Sequence, residues 1–195
     1  MTRLMALMGV MVLTMPAYAQ TSDWRFNCPE SGTVVERSTG DTVTFRGADA
    51  NDPLVCLAAG GQRLVLGVWA PSDRLYVNGR AQLSSLLAGP PGSERRFDYF
   101  SLGRDSNSIH IYETWRHAGF GSVRVPAGTF DTVKLERRFD IAGTTYTYLQ
   151  TVWLDRLTNA PVKIDINHLN AVMAPTLVRW EATELRQAQP RRPGS

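Results

Sequence analysis

Several residues and patterns are scarce in this chain, and each scarcity removes a class of protein. Cysteine occurs only at Cys28 and Cys56. The chain therefore holds no C-x-x-C for redox chemistry and no C-x-x-C-H for haem attachment. Histidine occurs only at His110, His117 and His168. All three lie far along the chain from the cysteines, which is poor spacing for a shared zinc site. The G-x-S-x-G elbow, H-E-x-x-H, S-x-x-K and the P-loop are absent, so no standard hydrolase or nucleotide signature is present. Gly119-Phe120-Gly121 is only a fragment of a glycine-rich pattern, and no helix pattern follows it. Net charge is just +3. The basic residues come as separated pairs (Arg95-Arg96, Arg137-Arg138, Arg191-Arg192) that read as solvated surface, which argues against nucleic acid as a partner. Beyond the first nineteen residues no apolar run is long enough to span a bilayer. No cofactor or metal is implied.

What the chain does have begins at its start. Arg3 precedes an apolar run from Leu4 to Thr14, broken only by Gly9 and the threonine itself. Pro16 follows, then Ala17-Tyr18-Ala19. This layout predicts a secretory signal peptide over residues 1–19, cleaved between Ala19 and Gln20. The mature protein is then periplasmic or secreted. In an oxidising compartment the isolated pair Cys28 and Cys56 is expected to form a disulfide.

The rest reads as strand after strand. Thr33–Ser38 and Thr42–Arg46 flank Thr39-Gly40-Asp41, a hairpin signal. Leu54–Leu57 and Arg63–Trp69 flank Ala58-Ala59-Gly60-Gly61, and Leu75–Val77 reads as a short extended piece. Arg95–Leu102, Ser108–His117, Ser122–Val125, Phe130–Phe139, Thr144–Leu154, Val162–Asn167 and Thr176–Leu185 follow with short connections. Val133 and Leu135 alternate with Lys134 and Glu136. Val162, Ile164 and Ile166 alternate with Lys163, Asp165 and Asn167. One face is dry and the other wet.

One segment differs. Leu83, Leu86 and Leu87 sit at helical spacing before Gly89-Pro90-Pro91, which predicts a short helix near residues 80–88. The resulting fold class is mainly β: an antiparallel meander forming an open or half-closed barrel, residues 20–186, followed by a polar tail at 187–195 expected to be disordered. The helix and the turn near Asn170 to Met173 are the available covers for the dry face. Partial cover leaves an apolar cleft, the default ligand site.

Val-Pro-Ala-Gly-Thr-Phe at 125–130 leads into a strand ending at Glu136, and Thr151 to Ile164 reads T-V-W-L-D-R-L-T-N-A-P-V-K-I. Together these resemble an uncharacterised family of bacterial periplasmic β-rich proteins with a P-A-G-x-F … W-x-D … P-V-K signature. The resemblance implies a half-barrel similar to periplasmic lipoprotein carriers. The motif residues Pro126, Gly128, Phe130, Trp153, Asp155 and Pro161 also have a plain reading as turn and packing positions.

The remaining chemistry-bearing residues are few. His117, Glu113 and Trp115 share one face of a strand. His110, Tyr112, Thr114 and Arg116 share the other. Asp49, Asn51 and Asp52 resemble a calcium loop but lack its spacing and its terminal glutamate. Tyr146 and Tyr148 share a face near which Phe97, Tyr99, Tyr112 and Trp180 could gather. The expectation is a non-enzymatic exported protein that binds a lipid or another apolar or amphipathic envelope component. The alternatives are a module that takes an envelope protein as partner, and a small exported hydrolase.

Overall fold

The computed structural model describes residues 24–70, 73–102, 107–170 and 179–188, apart from the side chains of residues 73–76. The expected signal peptide, Ala171–Met173 of the expected second cover, and the tail from residue 189 lie outside these.

Among the described residues ten antiparallel strands form one open sheet. They are β1 (Val34–Arg37), β2 (Thr42–Asp49), β3 (Asp52–Ala58), β4 (Arg63–Val65), β5 (Glu94–Leu102), β6 (Ser108–Val125), β7 (Gly128–Ile141), β8 (Thr147–Asp155), β9 (Pro161–His168) and β10 (Trp180–Arg186). Their order across the sheet is β4-β3-β2-β1-β10-β9-β8-β7-β6-β5. Two meanders are thus joined where β1 pairs with β10. The two edges, β4 and β5, do not pair. The helix α1 (Asp73–Leu87) connects them in sequence and packs on β5 and β6. The mainly-β, half-open architecture expected from the alternation is the one observed.

The dry face is the concave one. Val35, Phe45, Val133, Leu135, Val152, Leu154, Ile164 and Ile166 are buried there, joined by Leu83 and Leu86 of α1. On the outer face Lys134 pairs with Glu136 at 2.9 Å and Lys163 with Glu181 at 2.6 Å. Trp153 lies beneath the ammonium groups of Lys134 and Lys163. Pro126-Ala127 turns β6 into β7, with Gly128 at φ +141° and the Ala127 amide donating to the Ala182 carbonyl. Phe130 is partly buried against the core. Asp155 Oδ2 accepts from the Thr158 amide and hydroxyl, closing the turn that leads to Pro161, the first residue of β9.

Three sequence expectations need correction. The helix begins at Asp73, not Arg80, so Leu75–Val77 is helical and not extended. Gly79 explains why a helix can lie here: a Cβ at this position would sit 2.7 Å from the Phe97 ring, so only glycine lets the backbone approach β5 this closely. The strand read as Arg63–Trp69 stops at Val65. There Leu66 turns left-handed (φ 52°) and is fully buried, which redirects Trp69 across the concave face. Finally, Ser108–His117 and Ser122–Val125 are one strand. The glycine-bearing stretch between them stays in the ladder, with a bulge at Ala118 where the pairing with β7 shifts between His117 and Gly119.

Candidate functional site: an apolar cavity beside a buried ion pair

The bulge creates the site. Without it, residues 117 and 120 would face opposite sides of the sheet. With the extra residue, His117 pairs with Leu135 and Phe120 with Val133, both partners being core residues of the concave face. Gly119, at φ +110°, supplies the backbone freedom. The Gly89–Gly92 turn docks against this point. The Gly92 amide donates to the His117 carbonyl at 2.7 Å, and the His117 amide donates to the Ser93 carbonyl at 2.9 Å.

The opposite wall comes from the segment before β1. Cys28 is bonded to Cys56 in β3. The bridge holds Trp24, Arg25 and Phe26 near Pro53 and Leu54 of β3. Together with Leu87, Pro90, Pro91, His117 and Phe120 they line a half-open cavity of about 570 Å³, with Arg25, Pro53 and Pro90 exposed at its rim. That volume lies within the roughly 300–1,000 Å³ usual for small-molecule sites, and the lining is mostly apolar, as in such sites.

His117 is the buried polar side chain of the wall, whereas Arg25 and Ser84 line it from exposed positions. His117 is 2% exposed, and neither ring nitrogen has a hydrogen-bond partner. Trp24 stacks on one side with 19° between ring planes, and Phe120 meets it edge-on at 5.2 Å. Burial lowers its pKa below the ordinary value of 6.5. The carbonyls of Pro90 and Gly89 work in the opposite direction without reaching hydrogen-bond geometry. The unfolded chain therefore binds this proton more tightly than the folded one. Stability from this group is complete above about pH 6.5 and falls as pH drops toward the lowered folded value. Thermal unfolding of the wild type should lose more between pH 7 and pH 5 than unfolding of His117→Phe. Equal losses would show that the ring does not titrate against burial.

Under α1 lies a second arrangement. Glu113 is fully buried and forms a two-pronged ion pair with Arg137. Nε donates to Oε2 at 2.9 Å, and Nη2 donates to Oε1. Tyr99 Oη donates to Oε1 at 2.9 Å and Trp115 Nε1 to Oε2 at 2.7 Å. Trp69 Nε1 donates to Gln150 Oε1 at 2.6 Å, and its ring lies edge-on to Trp115. Burial opposes the Arg137 charge, but Glu113 beside it outweighs this and holds the guanidinium above its ordinary value. Burial, then the Glu113 charge, pushes the Tyr99 hydroxyl far up. Burial pushes Tyr148 up to about 12. These tyrosines stay protonated as donors at neutral pH.

The sequence-flagged residues thus separate. His117 joins the cavity and Glu113 the buried pair. His110 Nε2 lies 2.7 Å from Asp98 Oδ2 on the outer face, stacked on Phe100. Tyr99 and Tyr148 reach Glu113 and Arg137, whereas Tyr112 lies under Arg96 and Trp180 under Arg37. Asp49 and Asp52 pair with Arg63 and Arg80, so arginine neutralises the loop that reads partly like a calcium site. Among the described residues no cluster of three or more metal-ligating side chains occurs. The Arg137-Arg138 reading as surface is half wrong. Arg138 faces out beside Asp140, but Arg137 continues the inward parity of Val133 and Leu135, a signal the pattern did carry.

No protein-family model matches this chain, and no curated protein matches it. Among solved structures it is similar to the hypothetical lipoprotein YmcC from Escherichia coli. Identity is 14%, the TM-score is 0.43, and the alignment covers 71% of this chain and 80% of that one. No helix among the described residues is long and apolar enough to cross a membrane.

Proposed function

We propose that this is an exported, non-enzymatic protein that binds an apolar or amphipathic component of the cell envelope in the cavity beside His117. The carrying observation is the cavity itself: about 570 Å³, walled by Trp24, Phe26, Leu54, Leu87 and Phe120. Export follows from the leader at residues 1–19, and the Cys28–Cys56 bridge fits an oxidising destination. A binding reading is favoured over hydrolysis because His117 has neither a carboxylate to orient it nor a hydroxyl to activate. Ser84 lines the same cavity but makes no hydrogen bond to the ring.

The test fills the cavity from its rim. Ala88 is exposed and lines it, so Ala88→Trp occupies ligand space without touching the core. The neutral probe N-phenyl-1-naphthylamine should brighten on binding the wild type. In Ala88→Trp its affinity should fall at least about tenfold, the loss of some 1.4 kcal/mol of contact, with the melting temperature unchanged. Organic extracts of natively purified protein should contain a co-purified lipid by mass spectrometry. No probe binding together with an empty extract would remove the reading.

A further inference from the structure

The half-open cavity is chemically uneven from floor to mouth. Phe26, Leu54, Leu87 and Phe120 line it with carbon alone, and among the described residues no carboxylate does. At the mouth stands one cation, Arg25. It is exposed and makes no hydrogen bond or ion pair among the described residues. Two arginines beside other lining residues are already neutralised. Arg80 of α1 lies 3.2 Å from Asp52, the neighbour of Pro53, and Arg156, over the Phe120 ring, lies 2.7 Å from Asp131. Arg25 is the uncompensated charge of the site. An apolar hollow with a free cation at its mouth is complementary to a molecule with an apolar body and a negative end.

We infer that the cavity takes an amphiphile with an anionic head group, its alkyl chain among the apolar walls and its carboxylate or phosphate on the Arg25 guanidinium. This rests on the cavity reading above and names the ligand class within it. A guanidinium presents paired N–H donors that match either head group. The rim suits that contact because the head group keeps much of its water there. Deeper in, beside His117, an anion would lose that water with no cation to meet it, a costly burial. One feature pulls the other way. α1 ends at this wall, where Leu87, Ala88 and Gly89 line the cavity, and no basic residue stands in its last turn. The carbonyl end of a helix carries partial negative charge, which favours a cation. That charge is about half a unit and acts only near the last turn, against a full unit on Arg25. A cationic amphiphile is therefore the direct competitor.

Four probes with one linear chain and different heads separate these cases: decanoate, decyl phosphate, 1-decanol and decyltrimethylammonium. Each is titrated calorimetrically, below its micelle concentration, at pH 7.5 and low salt, into the mature, disulfide-bonded protein. Decanoate and decyl phosphate should bind about fivefold more tightly than 1-decanol, the upper end of what one exposed ion pair supplies. The tighter of the two identifies the head group. In Arg25→Gln the advantage should vanish while 1-decanol binds as before, and Arg25→Lys should restore part of it. High salt should remove the advantage from the wild type, a readout that needs no variant. Ala88→Trp should weaken every probe that binds, which ties the preference to this cavity. Equal binding of the anions and the alcohol overturns the inference and leaves the apolar cavity standing. An anion preference that survives in Arg25→Gln overturns it as well. Tightest binding of decyltrimethylammonium overturns it in favour of a cation held at the end of α1. Binding of none of the four overturns the cavity reading and the inference together.

Discussion

Arg137→Met should destabilise the protein by about 3–5 kcal/mol, the usual cost of removing one partner from a buried ion pair. The magnitude comes from what is left behind. Glu113 is fully buried at the centre of the β5–β6–β7 face, under α1. Without the guanidinium its carboxylate keeps only the Tyr99 hydroxyl and the Trp115 indole as donors. Gln150 and Tyr148 lose the weak contacts at 3.4 Å that Arg137 Nη1 supplies. The double variant Glu113→Gln/Arg137→Met should recover part of the loss. The new amide no longer buries a charge and still accepts from Tyr99 or Trp115. Urea unfolding of the wild type, single and double variants measures both quantities. A single variant costing less than about 1 kcal/mol would mean that the site admits water and that the pair is not desolvated.

Replacing both cysteines (Cys28→Ala with Cys56→Ala) should cost about 3–4 kcal/mol, from the freedom regained by an unfolded chain whose 28-residue loop is no longer closed. Alanine is chosen because both sulfurs are buried and serine would add an unpaired hydroxyl there. The effect on the cavity should exceed the effect on the core. Residues 24–30 form no strand or helix. The bridge to β3 is the covalent link that holds Trp24 and Phe26 at the wall. The neutral probe should therefore bind more weakly in the double variant even at temperatures where β6–β9 remain folded. Thermal unfolding with and without reductant, followed alongside probe fluorescence, checks both parts. Unchanged probe affinity in a reduced but folded protein would show that the N-terminal wall holds itself by packing alone.

Much of the sheet was legible because strand alternation is a local property. Val133, Leu135, Val162, Ile164 and Ile166 repeat every second residue, and nothing but a one-sided sheet satisfies that spacing. The pairing of the two cysteines was accessible from their number and the expectation of export. The helix was only half legible. Its Leu83–Leu87 stripe carries the period, but its N-terminal half depends on Gly79 meeting Phe97, a contact made with a strand that follows it in the chain.

The site was far less legible. Glu113 and His117 stood out as polar residues on a dry face, yet the pattern gives no way to tell an ion pair from an orphan. That distinction rests on what lies nearby in the fold: Arg137 on β7, diagonal to Glu113, and around His117 the rings of Trp24 and Phe120 with no group in hydrogen-bonding geometry. The bulge at Ala118–Gly119 was invisible for a related reason. A glycine-rich stretch reads as a turn unless a partner strand runs past it, and β7 does.

Sequence alone determined that one face of a long antiparallel sheet is dry, because side-chain parity along a strand is fixed by backbone geometry. Tertiary structure decided where that face is left uncovered. The cavity is assembled from residues separated by nearly a hundred positions, Trp24 to Phe120, that meet only when the chain is folded and its disulfide closed.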